Sequence, residues 1–356
     1  MIKFEKGVSP FVPTESDPGI LEEIAVLKEE LKDDLVILGH HYQRDDVIRF
    51  ADVTGDSLIL SQKAANMKKK HIVFCGVYFM AECADLLSAD DQKVYLPDMR
   101  AGCAMADMAN IKEVEMIWDH LTKGTKEKII PITYINSSAD IKYFVGKNDG
   151  IICTSSNAAR IFDWAMERGK KILFLPDQYL GINTAISKSI SEDAIFTLDR
   201  LPDEKAIEKS QVFLWNGYCS VHKCFTLDDV TKRRNEYPGI NIVVHGECTA
   251  DVVKASDAFG STSTIIKMIT DSENGSVWAV GTEQHLVQRL AKRFPDKTIM
   301  PLSEFGFQCV TMSMITPEKL LATLKEIKHG ETKHEVCVSP EIKHYAKTAL
   351  MRMLDL

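Results

Sequence analysis

Residues Asp34 to Gln43 read DLVILGHHYQ. An unbroken apolar run, LVIL, meets a glycine and then a cluster of two histidines, a tyrosine and a glutamine. A short apolar run closed by polar punctuation reads as a strand covered on both faces, the kind found in parallel sheets. Outward from it, SLILSQKAANMKKK (Ser57 to Lys70) reads as an amphipathic helix. The pair recurs. KIIPITYI (Lys128 to Ile135) precedes NAARIFDWAMERGK (Asn157 to Lys170), and INIVVHG (Ile240 to Gly246) precedes STIIKMI (Ser263 to Ile269). Alternating strands and helices imply an α/β protein whose parallel sheets carry helices on their faces. In such folds ligands gather at the carboxyl ends of strands.

The recurrence extends to four elements in the same order. A strand ends in a polar cluster: HHYQ at His40, YINSSA at Tyr134, HGECTAD at His245. A hydroxyl-rich turn opens a helix: GDSL at Gly55, TSSNA at Thr154, GSTST at Gly260. A second strand follows: HIVFCGV, KILFLPD, SVWAVGT. A last strand runs on to a cysteine: VYLPDMRAGC to Cys103, VFLWNGYC to Cys219, IMPLSEFGFQC to Cys309. This predicts three homologous α/β lobes, with short parallel sheets around a pseudo-threefold axis. The expected limits are 19–108, 109–222 and 223–315, followed by a tail (316–356) of two helices that packs back on a lobe.

Composition narrows the function. A chain of 356 residues with 45% hydrophobic and 26% charged residues has material for several cores, so disulfide staples are not needed. The net charge of −8 argues against a nucleic-acid surface, which needs a basic excess, but not against a small anionic ligand. No apolar run reaches the ~18 residues that span a bilayer, so no membrane partner is expected. The opening MIKFEKGVSPFVP lacks the apolar centre of a signal peptide, so a cytoplasmic location is expected.

Nine cysteines in a reducing compartment are mostly core residues. Cys75, Cys83, Cys153 and Cys337 read that way. If the lobes surround a common axis, Cys103, Cys219 and Cys309 occupy equivalent positions and converge on it. Three such thiolates can hold an iron–sulfur cluster with one iron left open. Zinc competes for thiolates, although structural zinc takes four ligands, usually in paired spacing. Cys224 and Cys248 stay open as neighbours of the site or redox partners.

These segments, together with ADVTGDSL, GVYFMAE, CTSSNA, FLPDQYLG, GYCSVH, FGSTS and VGTE, resemble the quinolinate synthase family over nearly the whole chain. The resemblance implies an enzyme that condenses iminoaspartate with dihydroxyacetone phosphate to quinolinate, for NAD biosynthesis, with loss of phosphate and two waters. An upstream aspartate oxidase or dehydrogenase would supply the iminoaspartate. The resemblance also implies a [4Fe-4S] cluster on Cys103, Cys219 and Cys309, its open iron acting as a Lewis acid. Ser220 and Gly246 stand where the family usually has proline.

Carried over residue by residue, the resemblance makes Glu247, Tyr42 and His222 catalytic. It makes His40, Ser57, Tyr134, Asn136, Ser155, His245, Ser261 and Thr262 substrate-binding. Each has a plainer reading. Ser57, Ser155, Ser261 and Thr262 lie where helices begin, and serine and threonine commonly cap helices there. The same positions offer free N–H groups and a positive dipole end to an anion. Glu247 alone reads as an ion-paired or capping carboxylate. Two other functions compete: a small-anion binder with structural cysteines, and an iron–sulfur sensor that adds Cys224 as a fourth ligand.

Overall fold

The computed structural model describes residues 16–356, so the opening segment on which the leader expectation rests lies outside the described residues. Three sheets follow one another along the chain. The first holds β1 (Leu35–His40), β2 (Val53–Gly55), β3 (His71–Cys75) and β4 (Lys93–Tyr95). The second holds β5 (Ile129–Tyr134), β6 (Ile151–Cys153), β7 (Lys171–Leu175), β8 (Ile195–Leu198) and β9 (Val212–Trp215). The third holds β10 (Asn241–His245), β11 (Ala258–Gly260), β12 (Val277–Gly281) and β13 (Thr298–Pro301). β14 (Glu335–Val336), from the tail, joins the first sheet antiparallel to β4. Every other ladder is parallel.

The strand orders are β2-β1-β3-β4, β6-β5-β7-β9 and β11-β10-β12-β13, with β14 added beyond β4 and β8 beyond β9. The register repeats too: His40 pairs with Gly55, Tyr134 with Cys153 and His245 with Gly260. Strand order and register therefore agree with three homologous α/β lobes. In each sheet the first strand has its neighbours on opposite sides, which makes its carboxyl end a switch point and a natural ligand site.

β1 and β5 are buried at every position, as strands covered on both faces must be. One cluster of buried side chains runs from Ile24 to Trp215 and takes in the tail from Met312 to Met353. The third sheet has separate cores on its two faces. Val244 and Ala279 pack in one, Val243 and Val280 in the other, by strand alternation.

The tail helices, Pro317–His329 and Pro340–Leu354, touch two lobes. The former packs on the helix Pro18–Glu30, and the latter on the helix Ala139–Lys147 and β6. The second contact is so close that a Cβ at Gly146 would overlap the backbone of Tyr345. Among the described residues no helix is long and apolar enough to cross a membrane.

Candidate active site

Each lobe sends two side chains from the end of its first strand into one shared cavity. They are His40 and Tyr42, Tyr134 and Asn136, His245 and Glu247. The residue between each pair, His41, Ile135 or Gly246, stays out of the lining, because the chain turns directly after the strand end. The first and third lobes use the same turn. The Tyr42 N–H donates to His40 Nδ1 at 3.1 Å, and the Glu247 N–H to His245 Nδ1 at 3.3 Å. Nδ1 of both rings is thereby an acceptor, which leaves Nε2 to carry the proton. Burial pushes His40 down to about 3 and His245 to about 4, so both rings are neutral near pH 7.

Glu247 is the hub. Its Oε1 accepts from the Tyr134 hydroxyl at 2.6 Å and its Oε2 from His222 Nδ1 at 2.8 Å. His222 Nε2 meets Thr282 Oγ1 at 3.1 Å, and Thr282 meets the Tyr42 hydroxyl at 2.7 Å. One assignment satisfies every group: Tyr42 donates to Thr282, Thr282 to His222 Nε2, and His222 Nδ1–H to Glu247. His245 stacks on His222 with ring centroids 4.3 Å apart. Burial works to raise the Glu247 pKa, but His245, His222 and the Tyr134 hydrogen bond hold it below the ordinary carboxylate range. With His245 neutral, the His222 and Tyr134 hydrogen bonds are what keep Glu247 ionised. Burial, then the Glu247 charge, pushes the Tyr42 and Tyr134 phenols well above their usual value, so both remain proton donors.

Ser57, Ser155 and Thr262 also line the cavity. None of them is a helix cap. Asp56 caps the helix Ser57–Ala64, and Ser261 caps the helix Thr262–Asp271 by accepting from Thr264 N at 3.2 Å. Asn157 takes the cap position of the helix Ala158–Arg168. None of the three hydroxyls is spent on a cap, although that of Thr262 donates to the Tyr42 hydroxyl at 3.4 Å, whereas Ser261 lies outside the lining. The Oδ1 of Asn136 is buried with no hydrogen-bond partner among the described residues, as an atom waiting for a ligand donor would be.

Cys103, Cys219 and Cys309 reach the same cavity from the loops after β4, β9 and β13. Each begins one helical turn: the N–H four residues on (Asp107, Lys223, Ser313) donates to the cysteine carbonyl at 3.0–3.1 Å. In each, the N–H three residues on (Ala106, His222, Met312) favours the thiolate. Burial opposes this, pushing Cys103 up to about 12 and raising Cys219 and Cys309. Glu247, and after it the other two thiols, raise Cys219 further. Three half-buried thiols facing one cavity become thiolates together only with positive charge among them, so the donor set fits a thiolate-bound metal group. Cys219, His222 and Glu247 also bring ligand atoms within 4.8 Å of one another, a set that suits a single ion. Cys224 and Cys248 line no part of the cavity. The Cys224 thiol donates to Ser220 O at 3.1 Å on the surface, and Cys248 lies in the third lobe's core.

Several polar members of the site were not singled out from the sequence, among them Thr282, Asp56, Thr154 and Thr311. Thr282 ends the strand motif SVWAVGT, at the place where the first lobe has Val77, and its polarity was the available signal. Asp56 precedes Ser57 in GDSL and also lines the cavity.

A family model described as "Quinolinate synthetase A protein" matches residues 22–355. A quinolinate synthase of Streptomyces coelicolor is 48% identical over 356 aligned positions, covering 97% of this chain and 90% of the relative. Quinolinate synthases of Acidobacterium capsulatum and Bacillus anthracis are each 46% identical, covering 96% of this chain and 94% of the relative.

Proposed function

We propose, from the premise that the chain belongs to the quinolinate synthetase A family, that it is a quinolinate synthase. It condenses iminoaspartate with dihydroxyacetone phosphate to quinolinate, releasing phosphate and two waters, for NAD biosynthesis. The observation that supports this best is the convergence, in one cavity, of three cysteines from three lobes with the hydrogen-bonded set Glu247–His222–Thr282–Tyr42.

Cys103, Cys219 and Cys309 would hold a [4Fe-4S] cluster. When bound, such a cluster supplies an iron without a protein ligand, a Lewis acid for a substrate hydroxyl or carboxylate. The residues of the chain provide the rest. Ring closure requires loss of carbon-bound protons, and Glu247, ionised and held from two sides, is placed to accept them. His222 and Thr282 link Glu247 to the Tyr42 hydroxyl and hold both groups in place. Ser57, Ser155 and Thr262 at helix starts, with Asn136, bind the carboxylates and phosphate. The neutral rings of His40 and His245 offer Nε2–H donors. Iminoaspartate would come from an aspartate oxidase or dehydrogenase.

The test is anaerobic purification, iron and sulfide analysis, and chromatography of the product from iminoaspartate generated in situ plus dihydroxyacetone phosphate. The expected result is brown protein with about four irons per chain that forms quinolinate. Colourless protein with one zinc per chain, or no quinolinate from iron-loaded protein, sinks the proposal.

A further inference from the structure

One carboxylate joins the hydroxyl-rich turns of all three lobes. Asp56 is buried, and its Oδ1 accepts the Ile59 N–H at 3.0 Å to cap its own helix. Its Oδ2 accepts two hydroxyls from the other lobes, Ser156 Oγ at 2.9 Å and Ser263 Oγ at 2.6 Å. These donors lie 100 and 207 residues away in sequence. Each member of the tie adjoins a hydroxyl that faces the cavity: Asp56 adjoins Ser57, Ser156 adjoins Ser155, and Ser263 adjoins Thr262.

The helix cap does not require this arrangement, since Oδ1 alone completes it. The charge also calls for an explanation. A carboxylate in the lining of a cavity that takes anions opposes them by like charge unless donors absorb its charge. Here three donors do so. A carboxylate is also the side chain of this length with two acceptor oxygens, which three donors need; asparagine has one.

We infer that Asp56 is a positioning residue, which fixes the three helix starts so that Ser57, Ser155 and Thr262 meet one anionic substrate together. The inference rests on the anionic substrates proposed above. It does not place Asp56 in the chemistry. Its role is to hold three binding groups, borne by separate lobes, at one spacing.

The test uses anaerobically reconstituted holoenzyme in three forms: wild type, Ser156→Ala with Ser263→Ala, and Ser156→Thr with Ser263→Thr. The readouts are the quinolinate Kd, KM for dihydroxyacetone phosphate, kcat, Tm, and amide exchange at residues 57–60, 154–157 and 262–265. The alanine pair is expected to raise Kd and KM about tenfold, as misplacement of oriented groups does, with a smaller change in kcat. Its Tm should stay within about 3 °C of wild type, since it loses two hydroxyl contacts and no core volume. The threonine pair, which keeps the hydroxyls, should restore Kd and KM. Values for the alanine pair within twofold of wild type overturn the inference, and so does a fall in Tm with unchanged Kd. If the wild type neither forms nor binds quinolinate, the functional proposal fails on its own, and amide exchange decides the tie. Faster exchange at the three helix starts in the alanine pair supports it, and unchanged protection overturns it.

Discussion

Glu247→Gln is the most informative single change. The substitution preserves shape but replaces one acceptor oxygen with an N–H₂ donor. In the wild type the two oxygens accept from Tyr134 at 2.6 Å and His222 at 2.8 Å. If the remaining oxygen keeps Tyr134, the new amide faces His222 Nδ1. That ring can adapt by moving its proton to Nε2, which then donates to Thr282, and Thr282 to Tyr42. The path from Tyr42 to position 247 is thereby reversed. The cost in stability is bounded by one charge-assisted hydrogen bond, about 1.5–3 kcal/mol, and the tautomer change recovers part of it. Catalysis has no such recourse, because the amide cannot take a proton. Loss of a general base costs roughly 10²–10⁴ in rate. The assay is quinolinate turnover by the iron-loaded variant, beside its iron content and Tm. The expected outcome is full iron, a Tm lower by a few degrees, and kcat down by at least about a hundredfold. Turnover within about threefold of wild type, at full iron loading, refutes the assignment of Glu247 as the base.

Four further outcomes are expected from the geometry. Cys219→Ala should lose iron and activity, while Cys224→Ala, whose thiol reaches only the Ser220 carbonyl, should keep both; EPR and iron analysis distinguish them. Thr262→Ala should raise KM with little change in Tm, whereas Ser261→Ala, the cap of that helix, should cost about 1 kcal/mol of stability with KM unchanged. His40 and His245, held at about 3 and about 4 against 6.5 when unfolded, make the fold sensitive to acid. Because the unfolded state takes up these protons first, the stability is complete above that unfolded value and is lost as pH falls below it. Going from pH 8 to pH 5 should cost roughly 2 kcal/mol per ring in denaturant unfolding, and His40→Gln should remove about half of that slope. Gly146→Val should force the helix Pro340–Leu354 off its seat on the helix Ala139–Lys147, which limited proteolysis of the tail would report.

The threefold order of strands was legible because each lobe repeats an apolar run, a polar end and a hydroxyl turn. The six cavity residues at the strand ends were reached through the family resemblance, because three of them lie in the turns just after the strands, where no periodicity marks them. The helix starts were harder. A cap and the first helical residue are adjacent and draw on the same residue types, so sequence placed Ser261 beside Thr262 in the site, whereas the structure gives one the cap and the other the cavity. Asp56 and Thr282 act through partners 60 to 240 residues away, and local patterns do not encode those contacts. β8 and β14 were also missed, because neither belongs to the repeat.

The partition of the cores bears on how the protein is made. The third lobe packs its two faces with its own side chains, apart from Tyr42 of the first lobe, whereas the shared core of the first two includes the helix Pro340–Leu354, to Met353. During synthesis the first lobes emerge early, yet they cannot complete that core until the residues up to Met353 have left the ribosome. The third lobe emerges later but depends less on the tail, so it can finish folding before them. The usual order, in which earlier domains fold earlier, is then inverted. Truncation near the carboxyl terminus should accordingly unsettle the opposite end of the chain and leave the nearer lobe intact.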